Sequence, residues 1–401
     1  MKIFRYLAGT AGVAVLVCAA ALGGASSAVA AKAKTAAATC KASIAIEAPY
    51  STGPGIPLGL EQVHFAKLAV AMANKANGTD ITMGEDNTGL EPSLAVSATN
   101  SIIASSAVAI VGPAGSQEVE AVGPVAAKAG IALVSGSATL PALTTSGKNT
   151  TFFRVVPDDD IQGPNDAHYI INHMLAGPKG STILIVDDDE AYSQGLVSVM
   201  VPILKAAGYK VNHQTYNGTD TGATLTSALT SLATSQVNSK THIVIIPWQS
   251  PNNAQTFGKI LQQQGKHVIL FGTDGTNAPG TFEIPGSYSS NFGPDISTSK
   301  SALDESLVSG VKKYGPYGAF GVPTWQATTV VMDAIASVCK SGATPSRANV
   351  LAAIKKTDIP AADSPLGVPI QFAANGNLVA KAGYLFKIEA NGAYKEIPET
   401  K

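Results

Sequence analysis

The stretch Ala107 to Thr145, AVAIVGPAGSQEVEAVGPVAAKAGIALVSGSATLPALTT, reads twice over as apolar run, small polar turn and helix start. Ala107 to Val111 is short, apolar and β-branched and is closed by Gly112 and Pro113, which fits a buried parallel strand ending in a loop. Ser116 then stands as N-cap of a helix, with Glu118 and Glu120 in its first turn and Val119, Val122 and Ala126 at helical spacing up to Gly130. Ile131 to Val134 is the next strand, and Ser135, Gly136, Ser137, Ala138 and Thr139 form a second small polar loop. Two such loops at the carboxyl edge of one sheet offer backbone N–H groups and hydroxyls to an anion without a cationic side chain. Small residues follow strands in many doubly wound folds, so one loop alone carries little. Two in succession without a bulky residue point to a ligand site.

The same alternation extends in both directions. Upstream lie a strand over Ser43 to Glu47, a helix over Leu60 to Asn74, a strand over Ile81 to Met83 and a helix over Glu91 to Ala104 opened by Pro92. Phe152 to Val156 leads through Asp158, Asp159 and Asp160 to the expected turn Gly163-Pro164, a connection to a second block. There the spacing predicts helix Asn165 to Leu175, strand Thr182 to Val186, helix Gly195 to Ala207 and strand Tyr209 to His213. Helix Thr224 to Thr234, strand Thr241 to Ile246, helix Asn252 to Gln264 and strand His267 to Phe271 continue it. Residues 275 to 296 read as turns. Helices are expected over Leu303 to Tyr314, Trp325 to Cys339 and Ser346 to Lys356, and a final β pair joins Pro369–Phe372 with Tyr384–Ile388. The pattern defines an α/β fold of two doubly wound parallel-sheet lobes.

Lys2 and Arg5 precede an apolar run from Leu7 to about Leu22, and the small residues ending Ala28-Val29-Ala30 complete an expected signal peptide over residues 1–30. Residues 31–40 read as a flexible spacer. Removing the signal peptide takes away two cations and no acids, so the net charge moves from −1 to −3, which indicates neither a nucleic-acid nor an anionic-membrane partner. Charged residues are 14% of the chain, against roughly 25% in an average domain. Export leaves Cys40 and Cys339 in an oxidising compartment, where a single disulfide is expected over two free thiols. Cys18 follows a poor lipobox, so a lipid anchor is not favoured.

In the second block the strand ends carry Asp187 to Glu190 and Tyr192, then Trp248 and Gln249, then Asp274 and Gly275. Set against the hydroxyl loops, they describe a cleft for a zwitterion, with the carboxylate on Ser116, Ser137 and Thr139 and the ammonium on Asp274. Tyr192 and Trp248 also suit a lobe core, and the Asp187 to Glu190 run reads as a solvated loop before it reads as a metal site. No nucleophile elbow, phosphate loop or dinucleotide fingerprint is present, and His168 and His173 lack H-E-x-x-H spacing. No enzyme, cofactor or metal is expected.

The pieces STGP (Ser51 to Pro54), IVGPAGS (Ile110 to Ser116), SGSATLPALT (Ser135 to Thr144), FRVVPDDDIQGP (Phe153 to Pro164), VDDDEAYSQGL (Val186 to Leu196) and FGTDG (Phe271 to Gly275) follow one another in a specific order. Their order and spacing resemble the type I periplasmic solute-binding proteins of ABC transporters, the branched-chain amino-acid group in particular. The resemblance implies lobes of residues 41–157 with 292–380 and 158–291 with 381–401, joined by three hinge crossings near Pro157, Asn291 to Pro294 and Lys381. It puts carboxylate-binding loops at Ser116 and at Ser137 with Thr139, a cleft tyrosine at Tyr192 and the ammonium-binding acid at Asp274. Cys40 and Cys339 fall in one lobe. Two departures stand out: Leu58 and Gln249, beside Trp248, occupy places where the family often has aromatic residues, and Gly89 and Gly115 replace its first-lobe disulfide. The implied function is capture of an amino acid or similar small carboxylate and its delivery to an ABC transporter permease by a monomeric exported protein. A sensor domain for a membrane receptor is the alternative, with a secreted metal-dependent enzyme ranked last.

Overall fold

The computed structural model describes residues 40–398 apart from 174. The expected signal peptide and all but the last residue of the spacer lie outside the described residues.

The first half of the chain alternates as read: β1 Lys41–Ala48, α1 Ile56–Asn77, β2 Asp80–Asn87, α2 Pro92–Ala104, β3 Ala107–Val111, α3 Ser116–Ala129, β4 Ala132–Ser135, α4 Ala142–Thr145 and β5 Phe152–Arg154. The strands pair in parallel in the order β2-β1-β3-β4-β5. The second half continues with α5 Asp159–Asn172, β6 Thr182–Asp187, α6 Ala191–Ala206, β7 Lys210–Thr215, α7 Gly222–Gln236, β8 Thr241–Ile246, α8 Pro251–Gln263, β9 Ile269–Gly272 and β10 Tyr288–Asn291. Then come α9 Ala302–Val311, α10 Gly321–Lys340, α11 Arg347–Ile354, β11 Asp358–Ile359, β12 Ile370–Gln371, β13 Tyr384–Ile388 and β14 Tyr394–Ile397.

The second sheet runs β14-β13-β10-β9-β8-β6-β7, parallel from β10 to β7, with β13 and β14 added as an antiparallel edge. Both sheets therefore reverse strand order once, between β1 and β3 and between β6 and β8. In an open α/β sheet these switch points, beyond the carboxyl ends of the strands, are where ligands bind.

Helices cover both faces of each sheet, which is why the central strands are continuous apolar runs. On the first sheet one apolar cluster joins Phe65, Ala327 and Val331 of α1 and α10 to Ile44 and Val134. Another joins Val119 and Val122 of α3 to Ile110 and Leu133. On the second, α7 and α8 bring Leu229 and Phe257 onto Val244, while α5 and α6 bring Ile170 and Met200 onto Ile185. Cys40, immediately before β1, and Cys339, near the end of α10, form a disulfide with Cα atoms 5.9 Å apart.

Several local readings change. The turn expected at Gly163-Pro164 is inside α5, which starts at Asp159; Asp158 at its N-cap and Asp159 and Asp160 in its first turn suit the positive end of the helix dipole. Tyr288–Asn291, placed among turns, is the strand β10. The expected β pair does not form: Ile370–Gln371 pairs with Asp358–Ile359, and Tyr384–Ile388 crosses to the second sheet, between β10 and β14. Among the described residues no helix is long and apolar enough to cross a membrane.

Candidate functional site

The loop after β3 enters α3 with Gly115, and not Ser116, at the N-cap. Glu118 folds back so that Gly115 N–H donates to its Oε2 at 2.7 Å, the returning half of a capping box, since glycine has no side chain to supply the other. Glu118 is fully buried, and burial pushes its carboxyl up to about 7. The hydroxyl groups then tie this loop to the one after β4. Ser135 Oγ donates to Pro113 O (2.7 Å) and accepts from Ser137 N and Ala138 N. Ser137 Oγ donates to Ala114 O at 2.8 Å and accepts from Gln62 Nε2 at 3.0 Å, and Ser116 Oγ accepts from Leu140 N at 3.2 Å. Gly136 is required here, because a Cβ would lie 2.8 Å from Thr324 N at the start of α10. The first-lobe wall is thus a hydroxyl-stitched surface, with Glu91 near Gln117 further out.

The opposite wall is built at the end of β9. Tyr192, in the first turn of α6, donates to Asp274 Oδ1 at 2.6 Å, lies 2.6 Å from Thr273 Oγ1 and accepts from Gly275 N at 3.1 Å. Gln162 of α5 donates to the same Oδ1 at 2.6 Å and to Ser290 Oγ at 3.0 Å, and Ser290 Oγ donates to Asp166 Oδ2 at 2.9 Å. Gly275 allows the backbone to press against Trp248 O, which a Cβ would strike. Burial raises Asp274 to about 7, against the pull of its bonds from Tyr192 and Gln162. Burial also holds Asp159 and Asp166 well above the usual carboxylate range, and Asp274 adds to both shifts. Thr139 Oγ1 tempers the Asp159 shift from outside hydrogen-bond geometry, for neither it nor the Asp159 carboxylate has a bonded partner.

Between the walls lies a cavity of ≈ 20 Å³ lined by Ala114, Ser137, Gln62, Leu58, Leu90, Pro49 and Phe320 on one side and by Tyr192, Asp274, Gly275 and Gln249 on the other. That volume is close to one water-sized sphere. Gln117 Nε2 donates across the cleft to Gln249 Oε1 at 2.8 Å. Gln162 also lines a larger cavity of ≈ 320 Å³ with Pro157, Phe292 and Gly383, residues at or beside the crossings that the resemblance implies.

Of the residues singled out in the sequence, Ser137, Tyr192, Gln249 and Asp274 meet at one cavity, with Leu58 beside them. Ser116 and Thr139 are fully buried behind it. Trp248 is elsewhere: its ring packs beside Tyr216 and Phe257, and its indole N–H donates to Val186 O at 2.6 Å, so it belongs to the second-lobe core. The Asp187 to Glu190 run is a solvated loop only in part, with Asp189 exposed and Glu190 half-buried. Asp187 is buried against His213 and Thr215, and Asp188 accepts from Gln249 N and Glu190 N. Among the described residues no group of three or more His, Cys, Asp or Glu is arranged to hold a metal. Sequence reasoning missed Gln62, Gln117, Gln162 and Glu118. Only Glu118, three residues after a glycine at a strand-to-helix junction, carried a signal, the spacing of a capping box.

A cleft between the switch points of two doubly wound lobes, tied by backbone and hydroxyl donors on one side and a tyrosine–carboxyl pair on the other, defines a two-lobed solute-binding protein. Residues 43–393 match the periplasmic binding protein family, and the chain belongs to it. A Leu/Ile/Val-binding protein of Rhizobium johnstonii is 27% identical over 84% of this chain and 89% of its own length. The fold is similar to that of a branched-chain amino acid transporter substrate-binding protein of Streptococcus pneumoniae solved with isoleucine (TM-score 0.74, 22% identity, 88% of this chain and 98% of that one). It is equally similar to a fatty acid ABC transporter substrate-binding protein of Thermomonospora curvata (TM-score 0.76, 18% identity, 89% and 91%).

Proposed function

We propose that the protein is an exported solute-binding component of an ABC transporter that closes on an α-amino acid or a similar small carboxylate and delivers it to a permease. The observation that carries this reading is that Tyr192 and Asp274 of one lobe and Ser137 of the other line a single cavity. The carboxylate lies against the Ser116, Ser137 and Thr139 loops at the start of α3, where helix-terminal donors favour an anion. Asp274, positioned by Tyr192 and Gln162, takes the ammonium and becomes ionised in doing so. Residues 41–157 with 292–380 and residues 158–291 with 381–401 move as two bodies about the three crossings, and the ligand shifts that equilibrium by touching both. A thermal-shift screen of the processed protein against α-amino acids tests the reading. Saturation at about 100 times Kd adds roughly 2.7 kcal/mol, visible as a raised Tm. No shift with any amino acid or small carboxylate, beside a clear shift with a neutral solute, would remove it.

A further inference from the structure

Two glutamines of the first-lobe wall carry acceptors that no group of the protein satisfies. Gln62 donates through Nε2 to Ser137 Oγ, whose own hydrogen goes to Ala114 O, so the amide has one allowed orientation. Gln117 donates through Nε2 to Leu90 O (3.3 Å) and to Gln249 Oε1. A backbone carbonyl can only accept, so this orientation is settled as well. In both residues the Oε1 atom is buried without a hydrogen-bond partner. Each side chain is more than nine-tenths buried. Gln62 lines the cavity of ≈ 20 Å³ with Leu58, Leu90 and Phe320 as well as Ser137, Tyr192 and Asp274, and Gln117 lines an adjoining one that shares Leu90 and Gln249, whose Oε1 is already used. Further out, the side chains around Gln117 and Gln249 include Glu91, Asp188 and Glu190, which are again acceptors.

We propose that the solute bound here carries a side chain that donates hydrogen bonds, an amide or a hydroxyl, in place of a branched aliphatic group. The proposal rests on the reading of the cleft as an α-amino-acid site and specifies its other end. An amide NH2 can donate to both Gln62 Oε1 and Gln117 Oε1, and a hydroxyl to one of them. A methyl group of the same shape displaces whatever water serves them and leaves both oxygens orphaned in a dry site. Sites built to hydrogen-bond a ligand group reject the analogue that lacks it far more strongly than apolar pockets reject an added hydroxyl.

Calorimetric titration of the processed protein with two isosteric pairs, L-asparagine against L-leucine and L-threonine against L-valine, decides it, with glycine as the ligand that has no side chain. The polar member of at least one pair is expected to bind at least about tenfold tighter than its isostere. In Gln117→Met and, separately, Gln62→Met, each checked by thermal melting, that ratio should shrink by about tenfold or invert. Leucine and valine binding as well as or better than their polar isosteres overturns the proposal while leaving the amino-acid reading standing. An unchanged ratio in both folded variants also overturns it. If glycine and all four side-chain ligands fail to bind, the amino-acid reading itself falls and takes the proposal with it.

Discussion

The two walls of the cleft differ in what their polar groups converge on. On the second-lobe wall Tyr192, Gln162, Ser290 and Asp166 all hold or support Asp274, and the hydroxyl of Tyr192 is committed to three neighbours. On the first-lobe wall the Ser116, Ser135 and Ser137 hydroxyls bind backbone groups of the two loops, while Gln62 and Gln117 leave their carbonyl oxygens unmet, as Gln162 does behind Asp274. A carboxyl fixed in place by neighbours costs little reorganisation when a cation arrives, so it suits the invariant part of a ligand. Unmet acceptors suit the part that differs between ligands, because their need is met only by the correct chemistry.

Charge removal on the ordered wall is the strongest way to break this contrast. Asp274→Asn keeps the shape of the side chain and should cost an amino-acid complex about 2 to 5 kcal/mol, much of it from an ammonium left without its partner. Titration calorimetry reads it directly. Proton competition at the same group comes next. Because Asp274 stands at about 7, ammonium binding below that pH must first release its proton. Affinity should therefore rise about tenfold per pH unit toward 7 and level off above it, and Asp274→Asn should flatten the profile. A flat wild-type profile between pH 5 and 7 would contradict this role for Asp274. The smallest effect belongs to the other wall. Ser116→Ala removes the acceptor of Leu140 N and should cost about 1 to 3 kcal/mol, seen as a lowered Tm at least as much as a weaker affinity, since Ser116 is buried behind the cavity. Ser116→Ala abolishing binding with an unchanged Tm would place the ligand directly on that hydroxyl.

Much of the fold could be read from periodicity because its strands are buried on both faces and so appear as apolar runs between small loops. Tyr288–Asn291 escaped because three of its four residues are serine or asparagine, and Ser290 is polar for its bonds to Gln162 and Asp166. The partner of Tyr384–Ile388 escaped because it pairs with Tyr288–Asn291, far away in the sequence, and such pairing leaves no local trace. In the site, the strand-end rule led to Tyr192, Gln249 and Asp274. It also led to Trp248, since a ring at a strand end is as often core as ligand surface. Gln62 and Gln117 sit in helices where glutamine is an ordinary surface residue, and only the packing of Leu90 and Gln249 around them gives them a role.

The central claim is that the ordered wall exists to receive an ammonium group. Calorimetry of the processed protein with its best-binding α-amino acid and with the deaminated acid of the same carbon skeleton tests it most directly. The account predicts binding of the amino acid and at least about a hundredfold weaker binding of the deaminated acid, a loss of about 2.7 kcal/mol or more. Equal affinities for the two would contradict it.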